Sequence, residues 1–278
     1  MAHVLITGCS SGFGLLTALR FARAGDRVFA TMRTPAAAPD LRRTAEAERL
    51  ALSVHRLDVC DPASIAAALA EVTAAGGTLD VLVNNAGIEC RSSIEDAADE
   101  DVRRQFETNV FGTLNVIRAV LPGMRARRRG TIVNVSSVAG LVARPYGGLY
   151  SATKHALEAI SEALHFEVQP FGIRVVVIEP GYYGTRLLDN AYSGRQFTPA
   201  SPYWAHSQRF EDALARLRAG GAADAQEVAD LIHDAVHANA PRLRYLAGED
   251  AHLIATAHKH MDFESYEGAM RARLDWQD

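Results

Sequence analysis

The sequence predicts an α/β domain built on a doubly wound, mostly parallel sheet. Three observations carry this. Short apolar runs recur that do not alternate with polar residues, as strands buried on both faces should read. Helical stretches of about 10–20 residues separate them, which implies β-α-β units. A glycine-rich turn lies directly between the first strand and the first helix.

Taken in order, "HVLIT" (3–7) is the first strand and Phe13 to Ala24 the first helix. "RVFAT" (27–31) is a strand, "PDLRRTAEAER" a helix and "LSVHRLDV" (52–59) a strand. The next helix opens on Asp61 as N-cap with Pro62 at its first position. "LDVLVNN" (79–85), "GTIVNVSS" (130–137), "IRVVVIEP" (173–180) and "RLRYLAG" (242–248) complete the strands. Helices are predicted over 99–124, 149–168 and 224–237. Two segments break the alternation. One is 184–221, too long for a plain loop, with Tyr192, Phe197, Tyr203, Trp204 and an amphipathic piece over 207–218. The other is the tail, 249–278. No internal repeat or linker divides the chain, so it reads as one domain over 1–278, with 184–221 as a lid insertion.

Composition bounds the function. The 278 residues suffice for a sizeable core, with 48% hydrophobic and 22% charged residues. The net charge of -4 argues against nucleic-acid binding. The basic "MRARRRG" (124–130) sits at a helix end, where cations complement the dipole. Cys9, Cys60 and Cys90 show neither a disulfide framework nor zinc spacing, and His252, His258 and His260 read as surface histidines, so no metal is expected. No signal peptide and no membrane-length apolar run is visible, and the expected location is the cytoplasm.

In "TGCSSGFG", Gly8 permits the tight turn, Gly12 lets backbone approach a phosphate and Gly14 allows close helix packing. "LYSATKHALE" (149–158) carries the chemistry. The chain has two lysines, Lys154 and Lys259, and one stands a helical turn after Tyr150. Among 8 Tyr in 278 positions, chance gives such a pair about 0.06 times. An ammonium beside a phenol favours phenolate and lowers its pKa, which suits an acid–base group.

Across nearly its whole length the chain resembles the short-chain dehydrogenase/reductase family. The resemblance rests on Thr7-Gly8-x-x-x-Gly12-x-Gly14, Leu57-Asp58-Val59, Asn84-Asn85-Ala86-Gly87, Asn109, Ser137, Tyr150-x-x-x-Lys154, and Pro180-Gly181 with Thr185. Ser137 rather than Ser136 matches, because the family places its serine 13 before the tyrosine. "VLITGCSSGFG" and "VFATMR" look most like the branch of 17β-hydroxysteroid and retinol dehydrogenases.

The resemblance implies a Rossmann sheet of seven strands in the order 3-2-1-4-5-6-7, and an NAD(P)-dependent oxidoreductase. Asn109, Ser137, Tyr150 and Lys154 would be the catalytic set: Tyr150 the acid–base, Lys154 also holding the nicotinamide ribose, Asn109 relaying protons through water. Ser137 would hydrogen-bond and polarise the substrate oxygen. Asp58 and Val59 would hold adenine, and Asn84 and Asn85 would support the sheet and the ribose. The expected cofactor contacts are Gly8, Ser10, Ser11, Gly12, Phe13, Gly14, Arg33, Asp58, Val59, Asn85, Ala86, Gly87, Tyr150, Lys154, Pro180, Gly181 and Thr185.

NADP(H) is expected over NAD(H). NAD enzymes of this fold end the second strand on an acid. Here that position is Met32, no acid occurs from Arg27 to Thr34, and Arg33 follows, with Ser11 as a second contact to a phosphate. The substrate is expected to be a secondary alcohol or carbonyl compound, apolar and bulky, lying under the lid against Ser137, Tyr146, Tyr150, Tyr182 and Tyr183, with Arg144 and Arg186 as rim charges. An NAD(H)-dependent relative, a cofactor-binding sensor without turnover, and a dehydratase or epimerase using the same Tyr-Lys pair are the competing readings. The family pairs through the helices at 99–124 and 149–168, so a homodimer or homotetramer is expected, with Phe106, Val110, Leu157 and Leu164 as surplus apolar positions.

Overall fold

The computed structural model describes residues 1–75, 77–185, 191–218 and 223–274. Among them seven parallel strands form one sheet. They are β1 (His3–Ile6), β2 (Arg27–Met32), β3 (Leu52–Arg56), β4 (Val81–Asn84), β5 (Gly130–Val135), β6 (Ile173–Pro180) and β7 (Arg244–Ala247), in the order 3-2-1-4-5-6-7. The expected order therefore holds. The strand order reverses at β1, whose neighbours are β2 and β4, with Val4 opposite both Val28 and Val81.

Pleating divides the core between two layers. Val4, Ile6, Val28 and Ala30 point to one face, packed with α1 (Gly12–Arg23) and α8 (Gln226–His237). Leu5, Phe29, Leu82 and Ile132 point to the other, under α3 (Pro62–Ala74), α5 (Thr113–Ala126) and α6 (Gly148–Val168). Each such side chain contributes roughly 1.5–3 kcal/mol by leaving water, which is why these strands carry no polar alternation. Asp61 caps α3 as expected, accepting the Ala63 N–H at 3.0 Å, with Pro62 next. Asn84 supports the sheet: its Nδ2 donates to Asn134 Oδ1, and Asn134 Nδ2 donates to Ser161 Oγ, a buried polar chain beneath α6.

The helix expected over 99–124 is interrupted. α4 (Asp99–Phe106) passes into a π-helical turn, Glu107–Gly112, before α5 begins. Such turns are uncommon and often mark functional positions; this one carries Asn109. α2 spans Pro39–Ala47.

Both irregular segments contain helices. Within the lid, Tyr192–Ser193 pairs with Cys90–Arg91, and α7 (Trp204–Arg218) follows. Residues 186–190 and 219–221 of that lid, Arg186 included, lie outside the described residues. The tail forms α9 (Glu249–His260) and α10 (Phe263–Leu274), and α10 packs on α7. His252, His258 and His260 are exposed. No helix among the described residues is long and apolar enough to cross a membrane.

Three of the four positions expected to be surplus for one protomer are not. Val110, Leu157 and Leu164 are buried within the chain. The exposed apolar groups on the same elements are Phe111 and Phe166, at 50% and 66%.

Candidate active site

Because every strand runs the same way, the residues that follow β1 to β6 collect at one end of the sheet. Gly8, Arg33, Asp58, Asn85, Ser137 and Pro180 all line one cavity of about 880 Å³ there. That is near the upper end of the range for ligand pockets, roughly 300–1,000 Å³.

The glycine turn is held from below. Thr7 Oγ1 accepts the N–H groups of Asn85 and Ala86, both at 3.0 Å, and Asn85 Nδ2 donates to the carbonyls of Thr7 and Gly8. Gly8 has φ +74, and a side chain there would stand 2.8 Å from Ala86 Cα. Gly12 has φ +57 and faces Thr185. Gly14 does not line the cavity; it lies behind, packed on the Gly8 carbonyl, where a Cβ would clash. Ser11 is the N-cap of α1 but gives it no side-chain bond, and the first turn of α1 carries no acid. The open N–H groups and the helix dipole therefore suit an anion. A dinucleotide pyrophosphate fits this cradle.

Cys9 is packed: its Sγ lies on the Ile6 carbonyl and burial pushes its thiol up to about 12. Asp58 is tied into its own turn, its Oδ1 accepting the Cys60 N–H at 3.0 Å.

Beyond the turn stand Ser137, Tyr150 and Lys154. Ser137 caps a short turn, accepting the Ala139 N–H and donating to the Pro180 carbonyl at 3.3 Å, and it stands close enough to the Tyr150 phenol to favour phenolate. Tyr150 and Lys154 are buried, with Lys154 Nζ 5.6 Å from the Tyr150 ring centre.

The acid–base expectation needs one correction. Lys154 Nζ donates to the Val135 carbonyl at 2.8 Å rather than reaching the phenol. The Tyr150 pKa is raised, not lowered: burial disfavours phenolate, and Glu89 adds repulsion, against the lowering effects of Ser137 and Arg144. Burial also pushes Lys154 down to about 8, opposed by Glu158. Holding this ammonium in the core costs on the order of 3 kcal/mol below pH 8. A lowered base carries that cost below its folded pKa and loses it toward its unfolded value, 10.5. Lys154→Met is therefore expected to melt at or above the unmodified chain at pH 7, with the difference shrinking above pH 8. Thermal unfolding across pH 6.5–9.5 checks this, and a uniformly lower melting temperature contradicts it.

Asn109 is fixed by its side chain. Its Nδ2 donates to the Ile88 carbonyl and to Thr153 Oγ1, and its Oδ1 accepts the Ile88 N–H. The side chain clamps the segment after β4 to α6.

Substrate-side expectations divide. Ser137, Tyr150 and Tyr182 line the cavity; Tyr182 is fixed by its N–H, which donates to Asp250 Oδ2 at 2.7 Å. Tyr183 reaches the cavity edge, but its ring packs on Phe13 and its hydroxyl donates to Glu227. Tyr146 does not line it. It has φ +58, a strained conformation for a tyrosine, stacks on Phe197 and hydrogen-bonds His206. Phe197, Tyr203 and Trp204 likewise pack away from the cavity. Its apolar wall comes from Val142, Phe210, Leu214, Ile254, Met270 and Leu274, half of them in the tail.

Sequence reasoning also missed a charge cluster beneath the site. Glu89, 2% exposed, pairs with Arg144 and, at 3.7 Å, with Arg91; Glu211 on α7 lies 3.7 Å from Arg144 and 3.6 Å from Arg91. Arg144 is thus a partly buried tie between the floor and the lid rather than a free rim charge.

The short chain dehydrogenase family model matches residues 2–196. The chain belongs to the short-chain dehydrogenase/reductase family. It is 39% identical over 275 residues to the uncharacterized oxidoreductase YusZ of Bacillus subtilis, covering 97% of each chain. It is 41% identical over 187 residues to 3-ketodihydrosphingosine reductase of Bacteroides thetaiotaomicron, covering 67% of this chain and 66% of that one. It is 36% identical over 250 residues to human retinol dehydrogenase 8, covering 87% and 79%, which agrees with the branch its motifs resemble. A short-chain dehydrogenase from Streptomyces avermitilis superposes with TM-score 0.81 at 35% identity, over 99% and 97%. A Burkholderia phymatum member in complex with NAD gives 0.81 at 26%, over 96% and 95%. A Burkholderia cenocepacia gluconate 5-dehydrogenase in complex with NADP and tartrate gives 0.74 at 27%, over 91% and 95%. As a member of this family, the protein is an NAD(P)-dependent oxidoreductase with a nicotinamide cofactor.

Proposed function

We propose that the protein uses NADP(H) to interconvert a secondary alcohol and a carbonyl compound on an apolar, bulky substrate. The observation that carries this is the Ser137–Tyr150–Lys154 group, its tyrosine and lysine buried, at the junction of the phosphate cradle and the apolar wall. When bound, the nicotinamide supplies or accepts the hydride and, oxidised, adds positive charge to the site. In reduction, Tyr150 Oη gives its proton to the substrate oxygen as the new C–H bond forms; in oxidation it takes the proton back. Ser137 Oγ hydrogen-bonds the same oxygen and polarises it. Lys154 holds positive charge near the phenol and, released from Val135, has donors for a ribose hydroxyl. Asn109 keeps α6 in register beneath them.

The wall of Phe210, Leu214, Met270 and Leu274 favours a long or polycyclic apolar substrate, and two relatives are named for retinol and 3-ketodihydrosphingosine, both lipids. A panel of apolar alcohols and ketones, followed by absorbance of the reduced cofactor with NADPH and NADH in turn, tests this reading. Turnover of small polar substrates alone would refute the substrate class.

We propose further that the protein is a homo-oligomer, with Phe111 and Phe166 at the contact. Exposed phenylalanines on the two elements through which family members pair favour this. Light scattering should give a dimer or tetramer at micromolar concentration, and Phe166→Glu should shift it toward monomer. A monomer in the unmodified protein refutes it.

A further inference from the structure

At the sheet end opposite the catalytic cleft, three side chains converge that the reaction does not use. Asp26 precedes β2, and His233 and His237 lie one turn apart near the end of α8. One ligand atom from each lies within 4.8 Å of the others. We propose that Asp26, His233 and His237 bind a divalent ion of the zinc class.

Several features prepare these atoms for a metal. Asp26 is buried; its Oδ1 accepts the Ala2 N–H at 2.7 Å, while its Oδ2 has no hydrogen-bond partner. A buried carboxylate oxygen left so is costly. His237 Nδ1 lies 2.8 Å from the His233 carbonyl, and His233 Nδ1 lies 3.1 Å from Asp234 Oδ1. Both partners accept only, so each ring carries its proton on Nδ1 and its lone pair on Nε2. Imidazoles that ligate metals are oriented in this way, by a carboxylate or carbonyl on the other nitrogen. The His233 Nε2 is buried and without a partner, and the rings stack with centres 4.2 Å apart.

The distances suit the ion. His237 Nε2 stands 3.5 Å from Asp26 Oδ2, close to the edge of a tetrahedron with zinc bonds of about 2.0–2.1 Å. An ordinary His237–Asp26 ion pair would account for that distance but would leave the His233 Nε2 unpaired. Two imidazoles and one carboxylate select a borderline ion over calcium or magnesium, and partly exposed His237 leaves the fourth position to water. Neighbouring Arg20 is paired with Asp230 and Asp234. The bound ion would tie α8 to the turn before β2, so its effect falls on stability.

Chelator-treated full-length protein titrated with zinc chloride in a calorimeter tests this, with Co²⁺ absorption as the spectroscopic readout. One ion per chain is expected, raising the melting temperature in a way that a chelator reverses. His237→Ala, a change at a partly exposed position, should weaken zinc at least about 10-fold and abolish the tetrahedral Co²⁺ bands; Asp26→Asn should do the same. The absence of saturable zinc binding overturns the proposal. So does a His237→Ala protein that binds zinc as the unmodified chain does, which would place the ion on the cysteines or the tail histidines.

Discussion

Tyr150→Phe is expected to lower kcat at least about 100-fold, the lower range for a positioned general acid, with cofactor affinity within a few-fold of the unmodified protein. The phenylalanine keeps the ring in its buried place and removes only the hydroxyl. Folding should therefore survive, and circular dichroism with a melting curve confirms it. Because burial and Glu89 hold the phenol up in the ligand-free chain, phenolate is scarce at neutral pH. Reduction, which needs the protonated phenol, should stay flat through neutral pH, while oxidation should climb with rising pH. A folded Tyr150→Phe protein that retains turnover removes Tyr150 from the mechanism.

Arg33→Ala is expected to weaken NADPH roughly 10- to 150-fold and to leave NADH nearly unchanged. The basis is a charge-assisted bond of about 1.5–3 kcal/mol to the 2′-phosphate. Arg33 is exposed and lines the cavity together with Ser10 and Ser11, so its side chain is free to turn toward such a group. The complementary change, Met32→Asp, would supply the acid that NAD enzymes carry. The structure makes it a poor probe, because Met32 is 3% exposed within the core cluster and a carboxylate there lacks a partner. Titration of both cofactors against the Arg33→Ala protein checks the assignment. Equal loss of NADPH and NADH affinity, or equal kcat/KM for both in the unmodified chain, shows that this segment does not read the phosphate.

The layered fold and the place of the site were legible because both rest on local patterns. Unalternating strands, the capped start of α3 and the glycine turn each need only neighbours in sequence. Parallel strands then bring Gly8, Asp58, Asn85, Ser137 and Gly181 to one edge without further information. What escaped depends on distant pairing. Glu89, Arg144 and Glu211 come from three separate segments and meet only once the lid is folded. Tyr146 reads in the sequence as one of the aromatics facing an apolar substrate, yet its positive φ turns it toward Phe197 and His206. The π-helical turn that places the Asn109 amide against Ile88 and Thr153 has no signal in the sequence. The tail gave no motif, though Asp250 holds the backbone at Tyr182 so closely that a side chain at Gly181 would collide with it.

The central claim is direct hydride transfer at a site whose proton comes from Tyr150. The measurement that tests it most directly uses NADPH deuterated at the transferred position and an apolar ketone, with the product analysed by mass spectrometry. The account predicts one deuterium on the carbinol carbon of the alcohol, formed in step with NADPH loss and suppressed in Tyr150→Phe. NADPH that raises the melting temperature of the protein while no carbonyl compound acquires deuterium would contradict it, and would mark the chain as a cofactor-binding sensor.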